Sequence, residues 1–186
     1  SLGSETALRE RVAETLEALL EDQHSVRNVA IAQNGREIDT FWALRENISE
    51  AQAKEGLNVK HDVACAVSQL PVFHDMALNA IEEHGVEVRP VLFGHLGDGN
   101  LHFNLSAPKD NDSTAFLQQH QGLLNNLVHE TILQCGGTVS AEHGIGQLKA
   151  ELLRDITSTS NYAAFVAIKH AMDPKNLFNP GKLVLI

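Results

Sequence analysis

The sequence has no basic surplus, no long apolar run and no pair of closely spaced cysteines, and each shortage removes a class of function. Lys and Arg total 14 against 24 Asp and Glu, for a formal net charge of -10. A nucleic-acid binder needs a basic face for phosphates, so nucleic acid is an unsuitable partner, and an anionic membrane surface is disfavoured on the same ground. No stretch approaches the roughly 18–20 apolar residues that a membrane-spanning helix requires. The first residues, Ser1-Leu2-Gly3-Ser4, carry neither a charged nor an apolar leader region and read as a cloning remnant at residues 1–4 rather than a signal peptide. The two cysteines, Cys65 and Cys135, make no CxxC motif, which fits a reducing, cytoplasmic setting. Repeats, low-complexity tracts and long Pro/Gly linkers are also missing.

What remains is ordinary in bulk and unusual in one respect. Of 186 residues, 43% are hydrophobic and 20% charged, enough for one domain with a real core over residues 1–186. Ten are histidine. Apolar spacing predicts helices over residues 5–21, with Ser4 as N-cap, and over 38–54, 71–84, 114–134 and 162–172, with a short one through Leu152 and Leu153. Strands are expected at 26–31, 58–67 and 138–141, with the strongest β signal at 86–106. The clearest strand pair is a hairpin. The fold class is therefore α+β: a mostly antiparallel sheet with helices packed on one face, a ferredoxin-like cap followed by a C-terminal helical segment.

The hairpin carries the sharpest chemical signal. In Phe93-Gly94-His95-Leu96-Gly97-Asp98-Gly99-Asn100-Leu101-His102-Phe103-Asn104, Asp-Gly between β-type runs favours a two-residue type I′ turn. With Asp98 and Gly99 as the loop, His95 faces His102, and directly opposed Cβ atoms lie about 4.5–5.5 Å apart. Two imidazoles so placed can share a metal ion. Alternation puts Asn100, His102 and Asn104 on one face and Leu101, Phe103 and Leu105 on the other. The bland alternative is a solvated hairpin face with two incidental histidines.

A second cluster, Gly136-Gly137-Thr138-Val139-Ser140-Ala141-Glu142-His143-Gly144-Ile145-Gly146, reads as a strand entering a glycine-flanked turn. Glu142 is placed to complete a His95/His102/Glu142 set. Such a set suits zinc, or manganese or iron, with positions open to substrate. His143 is then a candidate general base near neutral pH. The competing reading makes Glu142 a helix cap and His143 an exposed side chain.

Three separated motifs, in order, resemble one family: Gly94-His95-Leu96-Gly97-Asp98-Gly99-Asn100-Leu101-His102, Ser140-Ala141-Glu142-His143-Gly144-Ile145-Gly146 and Asp173-Pro174-Lys175-Asn176-Leu177-Phe178-Asn179-Pro180-Gly181-Lys182. They look like the C-terminal signatures of FAD-linked oxidases of the vanillyl-alcohol-oxidase type, in the branch of D-lactate, glycolate and D-2-hydroxyglutarate dehydrogenases. The resemblance implies that His95, His102 and Glu142 bind a divalent metal, usually zinc, and that His143 is the base. It also implies that Arg45, Ser49 and Lys60 contact substrate carboxylates, that Asn104 contacts metal-bound substrate, and that Asn179 and Lys182 lie near the flavin. Ser49 replaces a threonine associated with the hydroxyglutarate enzymes. Without the resemblance, Arg45 and Lys60 read as surface cations.

The implied function is the substrate- and metal-binding part of an enzyme oxidising a D-2-hydroxy acid to its 2-oxo acid, with hydride transfer to FAD. No glycine-rich run resembles a flavin pyrophosphate loop. The FAD-binding domain is therefore expected to be a missing partner, and the chain an excised domain, a proteolytic remnant or a truncated form without dehydrogenase activity of its own. Loss of that partner would expose apolar surface and favour a homodimer. The alternative function is a stand-alone metal-binding or interaction module.

Overall fold

The computed structural model describes residues 4–21 and 26–186, so Ser1, Leu2 and Gly3 of the expected remnant lie outside the described residues. The chain forms two compact units, residues 1–55 and 56–186.

The first unit is helical: α1 (Glu5–Glu21), α2 (Gly35–Glu46) and α3 (Ile48–Glu55). Ser4 caps α1 as the sequence predicts, its hydroxyl accepting the amide of Ala7 at 3.3 Å. Helix α2 begins at Gly35, three residues ahead of the spacing-based boundary, with Asn34 as its N-cap. Its side chain accepts the Glu37 amide at 3.0 Å, and the Glu37 carboxylate reaches back to the Gln33 amide at 2.7 Å. The reciprocal pair satisfies one amide that the first turn leaves open and one just ahead of the N-cap. The single helix expected over 38–54 is two helices divided at Asn47, whose amide closes α2 on Ala43 and whose carbonyl opens α3 on Ala51. Apolar periodicity runs across the break because both helices share it. Residues 26–31 form no strand.

The second unit contains β1 (Asn58–Val59), β2 (Asp62–Ala64), α4 (Leu70–Glu83), β3 (Arg89–His95), β4 (Asn100–Ser106), α5 (Ser113–Gln134), α6 (Ala150–Ile156) and α7 (Thr159–Met172). Strand β4 is central, with β3 antiparallel on one side and β1 and β2 antiparallel on the other. Val59 pairs with Leu105 and Asp62 with His102, so β1 and β2 keep one register through Lys60 and His61. Val59, Val63, Phe103 and Leu105 point to one face and are essentially buried, together with Phe73, Ala77 and Ile81 of α4 and Leu124, Val128 and Ile132 of α5. The sheet is antiparallel and the α+β class holds. Residues 138–141 do not extend as a strand. They make one bridge, Thr138 to Ala64, at the outer edge of β2. Gly137 permits that approach, since a Cβ there would collide with the Ala64 carbonyl and the Ile132 side chain.

No helix among the described residues is long and apolar enough to cross a membrane. Cys65 and Cys135 are both free.

Candidate metal and substrate centre

The polar face of the sheet is built row by row. In one row, Asp62 of β2, His102 of β4 and Phe93 of β3 are cross-strand neighbours; in the next stand Ala64, Asn100 and His95. His95 therefore faces Asn100, and the expected direct pairing of His95 with His102 is displaced by two residues. The loop is responsible. A type I′ turn needs positive φ at both central residues, whereas only Gly99 is left-handed, with φ 65°. Leu96–Asp98 form a 3-10 turn closed by the Gly99 amide on the Leu96 carbonyl at 3.1 Å. The Gly99 carbonyl accepts the Cys65 amide at 3.1 Å, and a Cβ on Gly99 would strike the Cys65 carbonyl, so the loop is fixed against the chain leaving β2. A displacement of two residues preserves the face, and both histidines still point to the same side.

Glu142 brings them together. Its carboxylate lies 3.0 Å from His95 Nδ1 and 3.7 Å from His102 Nε2, and it accepts the Asn100 side-chain amide at 2.5 Å. The ring of His102 contacts two others: Phe93, tilted, at 4.9 Å between centroids and His143, stacked, at 5.7 Å. Exposure grades across the centre. The His102 side chain is 14% exposed, Glu142 42%, His95 53% and His143 65%. The more open groups are those a solute would meet first.

Behind this cluster stands a residue that sequence reasoning missed. Asp62 is 3% exposed, and one oxygen, Oδ2, accepts the backbone amides of Ala141, Glu142 and His143 at 3.1, 2.8 and 2.8 Å. That triple acceptance fixes the turn carrying Glu142 and His143. Burial pushes the Asp62 carboxyl up, but the amides and the nearby His143 outweigh it and hold the group below the usual carboxylate range. Its other oxygen lies 3.8 Å from His102 Nδ1, while Oδ2 lies 3.8 Å from His143 Nδ1. Among the described residues, Asp62, His102 and His143 form the one set of three such side chains whose ligand atoms all lie within 4.8 Å of one another, so the expected His95/His102/Glu142 set is the less compact of the two. The available signal was alternation: Asn58, Lys60 and Asp62 are polar at every second position of a strand whose other residues are buried. Only the cross-strand pairing with His102 gives Asp62 a chemical neighbour.

The remaining expected site residues are distributed. Lys60 is exposed and, by the continuous register of β1 and β2, falls opposite Asn104 on the histidine face. Asn104 is 5% exposed. Asn179 and Lys182 line an open groove of about 860 Å³ together with Phe165, Lys169 and Met172 of α7. Arg45 and Ser49 belong to the first unit. Arg45, in the last turn of α2, lines a shallow groove of about 360 Å³ with Phe41 and Trp42, and Ser49 is exposed on α3.

On the opposite face, buried His61 and half-buried His129 form a pair that the sequence did not mark. Their rings meet edge-on at 5.6 Å, and His61 Nδ1 contacts the Phe103 carbonyl at 2.8 Å. Burial pulls each imidazole down to about 4, and in His129 the charges of His61 and Lys149 add to the effect.

Residues 2–183 match the family described as FAD linked oxidases, C-terminal domain. A D-2-hydroxyglutarate dehydrogenase of Stutzerimonas stutzeri is 33% identical over 162 residues, covering 87% of this chain and 34% of that protein. The mitochondrial D-2-hydroxyglutarate dehydrogenase of Arabidopsis thaliana is 34% identical over 159 residues, covering 86% of this chain and 27% of that protein. The mitochondrial enzyme of that name from Rattus norvegicus is 33% identical over 174 residues, covering 93% and 31%. The chain thus spans about a third of the length of the curated relatives it matches. Every motif on the histidine face falls inside the matched segment, and the chain belongs to the FAD-linked oxidases, as their C-terminal domain.

Proposed function

We propose that this chain is the substrate- and metal-binding portion of a flavin-dependent dehydrogenase that oxidises a D-2-hydroxy acid to the corresponding 2-oxo acid. The observation that carries the reading is Glu142, placed within reach of His95 Nδ1 and His102 Nε2 on a partly exposed face. Two neutral imidazoles and one carboxylate suit a divalent ion such as zinc or manganese and leave positions for substrate oxygens. His95, His102 and Glu142 would hold the ion. When bound, it supplies Lewis acidity that lowers the pKa of a coordinated hydroxyl. FAD, when bound, supplies the hydride acceptor, and Asn179 and Lys182 offer it polar contacts along the groove beside α7.

The chain's own side chains divide the remaining work. His143 is open to solvent and stacked on His102, and as a base it takes the proton of the substrate hydroxyl. Lys60 presents an ammonium on the same face, suited to a second carboxylate, and Asn104 an amide. Arg45 and Ser49 offer a guanidinium and a hydroxyl to a carboxylate and are proposed as substrate contacts on that chemistry. D-2-Hydroxyglutarate, the substrate in the relatives' names, is the first acid to try. A cytoplasmic location rests on the two free cysteines alone. Two relatives are named as mitochondrial, and a reducing mitochondrial interior fits the same observation.

Metal is measured by inductively coupled plasma mass spectrometry on tag-free protein equilibrated with zinc or manganese. The expected result is one tightly held ion per chain, lost in His95→Ala/His102→Ala; an unchanged metal content in the double variant overturns the assignment. In the flavin-containing full-length protein, His143→Ala is expected to slow flavin reduction by about 10²–10⁴-fold. An unchanged rate would remove His143 from the role of base.

A further inference from the structure

The buried carboxylate of Asp62 is more than a turn anchor. Its two oxygens are used unequally. Oδ2 takes three backbone amides, yet Oδ1 is buried with no hydrogen-bond partner. An ionised oxygen buried without a donor is costly, and such groups are rare unless a donor stands close by. The donor within reach is His102 Nδ1, 3.8 Å away on the directly paired residue of the adjacent strand. A shift of about 1 Å would bring the two atoms to a hydrogen-bond distance of about 2.8 Å. Phe93 and His143 both pack against the ring.

Resting on the metal centre proposed above, we propose that Asp62 is its positioning residue: one oxygen fixes the Glu142–His143 turn, and the other holds the proton of His102 on Nδ1, leaving Nε2 as a lone-pair donor aimed at Glu142. An imidazole ligates only through an unprotonated nitrogen, and the hydrogen bond made by one nitrogen decides which one that is. Asp62 Oδ2 is occupied by three amides, whereas the Glu142 side is open to solvent. The geometry therefore separates the two carboxylates: Glu142 meets the ion, and Asp62 orients the groups that do. A single residue of β2 would then set three things at once, namely the backbone under Glu142, the backbone under His143 and the tautomer of His102.

The test uses the full chain with labelled histidine and reads the His102 tautomer by nitrogen–proton NMR, metal-free, at a pH where the ring is neutral. The proposal requires the proton on Nδ1. Were Asp62 itself a ligand alongside His102 Nδ1 and His143, that nitrogen would have to be free of its proton; a ring protonated on Nε2 therefore overturns the proposal. The variant is Asp62→Asn, nearly isosteric. Its amide oxygen still accepts the three backbone amides, which turns an NH2 toward His102 Nδ1. The expected outcome is a switch of the proton to Nε2 and a loss of zinc affinity of about 10–100-fold, measured by chelator competition, while the fold persists by circular dichroism. A purely structural Asp62 would lower thermal stability and leave tautomer and affinity in place. Wild-type protein that shows the Nδ1 tautomer but binds no zinc refutes the metal reading and leaves the positioning of His102 upheld.

Discussion

Acid should unfold the second unit earlier than its carboxylates alone would. The perturbation is protonation of His61, an imidazole 2% exposed and hydrogen-bonded to the Phe103 carbonyl. Its pKa in the folded chain is about 4, against an ordinary value of 6.5. The folded pKa lies below the unfolded one, so the unfolded chain binds the proton more readily. The stability tied to this group is intact above about pH 6.5 and falls as the pH drops from there toward 4. A displacement of this size corresponds to roughly 2 kcal/mol lost from His61 between pH 7 and pH 5, out of a total stability on the order of 5–15 kcal/mol. His129, also near 4, adds a loss of the same sign. The two losses do not simply add, because rings 5.6 Å apart repel when both are charged. The assay is urea unfolding in chelator at several pH values, followed by far-UV circular dichroism, since Trp42 reports only on the first unit. The comparison is His61→Asn, which keeps a donor for the Phe103 carbonyl but does not titrate. The variant should be less stable at pH 7 and show a distinctly shallower decline toward pH 5. Parallel declines in the two proteins would refute the argument that burial of His61 carries the effect.

Two further outcomes follow from local geometry. Gly99→Ala places a methyl group against the Cys65 carbonyl at a left-handed position, and it should destabilise the second unit by roughly 1–3 kcal/mol in urea titration and weaken metal binding through the displaced hairpin. Asp173 accepts the Lys169 ammonium at 2.6 Å and the amides of Leu177 and Phe178 at 2.9 and 2.8 Å, with its carboxyl held down to about 2, chiefly by Lys169. A depressed carboxyl stabilises above its ordinary pKa near 4 and loses that contribution as the pH falls toward 2. Asp173→Asn should therefore increase hydrogen exchange at Leu177 and Phe178 at neutral pH and match wild type near pH 2.

The helices α4, α5 and α7 and the β3–β4 hairpin were legible because apolar periodicity over many residues reports directly on a buried face. The shorter elements were not. Residues 138–141 alternate like a strand, but only Thr138 finds a ladder partner, and nothing local to the segment encodes that. Asn47 divides a periodic stretch without a glycine or proline to mark the break. In the site, the shared face of His95 and His102 survived a wrong register, because alternation has a period of two and the error was two residues. Asp62 was invisible for a different reason. A lone acidic residue in a strand acquires meaning only from what lies across the ladder and from which amides come to it out of a turn some 80 residues later.

The hairpin also constrains how this sequence can change over time. His95 and His102 share a face through a loop whose last residue, Gly99, is tied to Cys65. Insertions or deletions of two residues in the loop keep both imidazoles on the same side, at the expense of that tie. A change of one residue turns one strand over relative to the other, bringing Leu101 and Phe103, or Gly94 and Leu92, to where the imidazoles were. Length variation among descendants of this hairpin should therefore be tolerated in even steps and purged in odd ones.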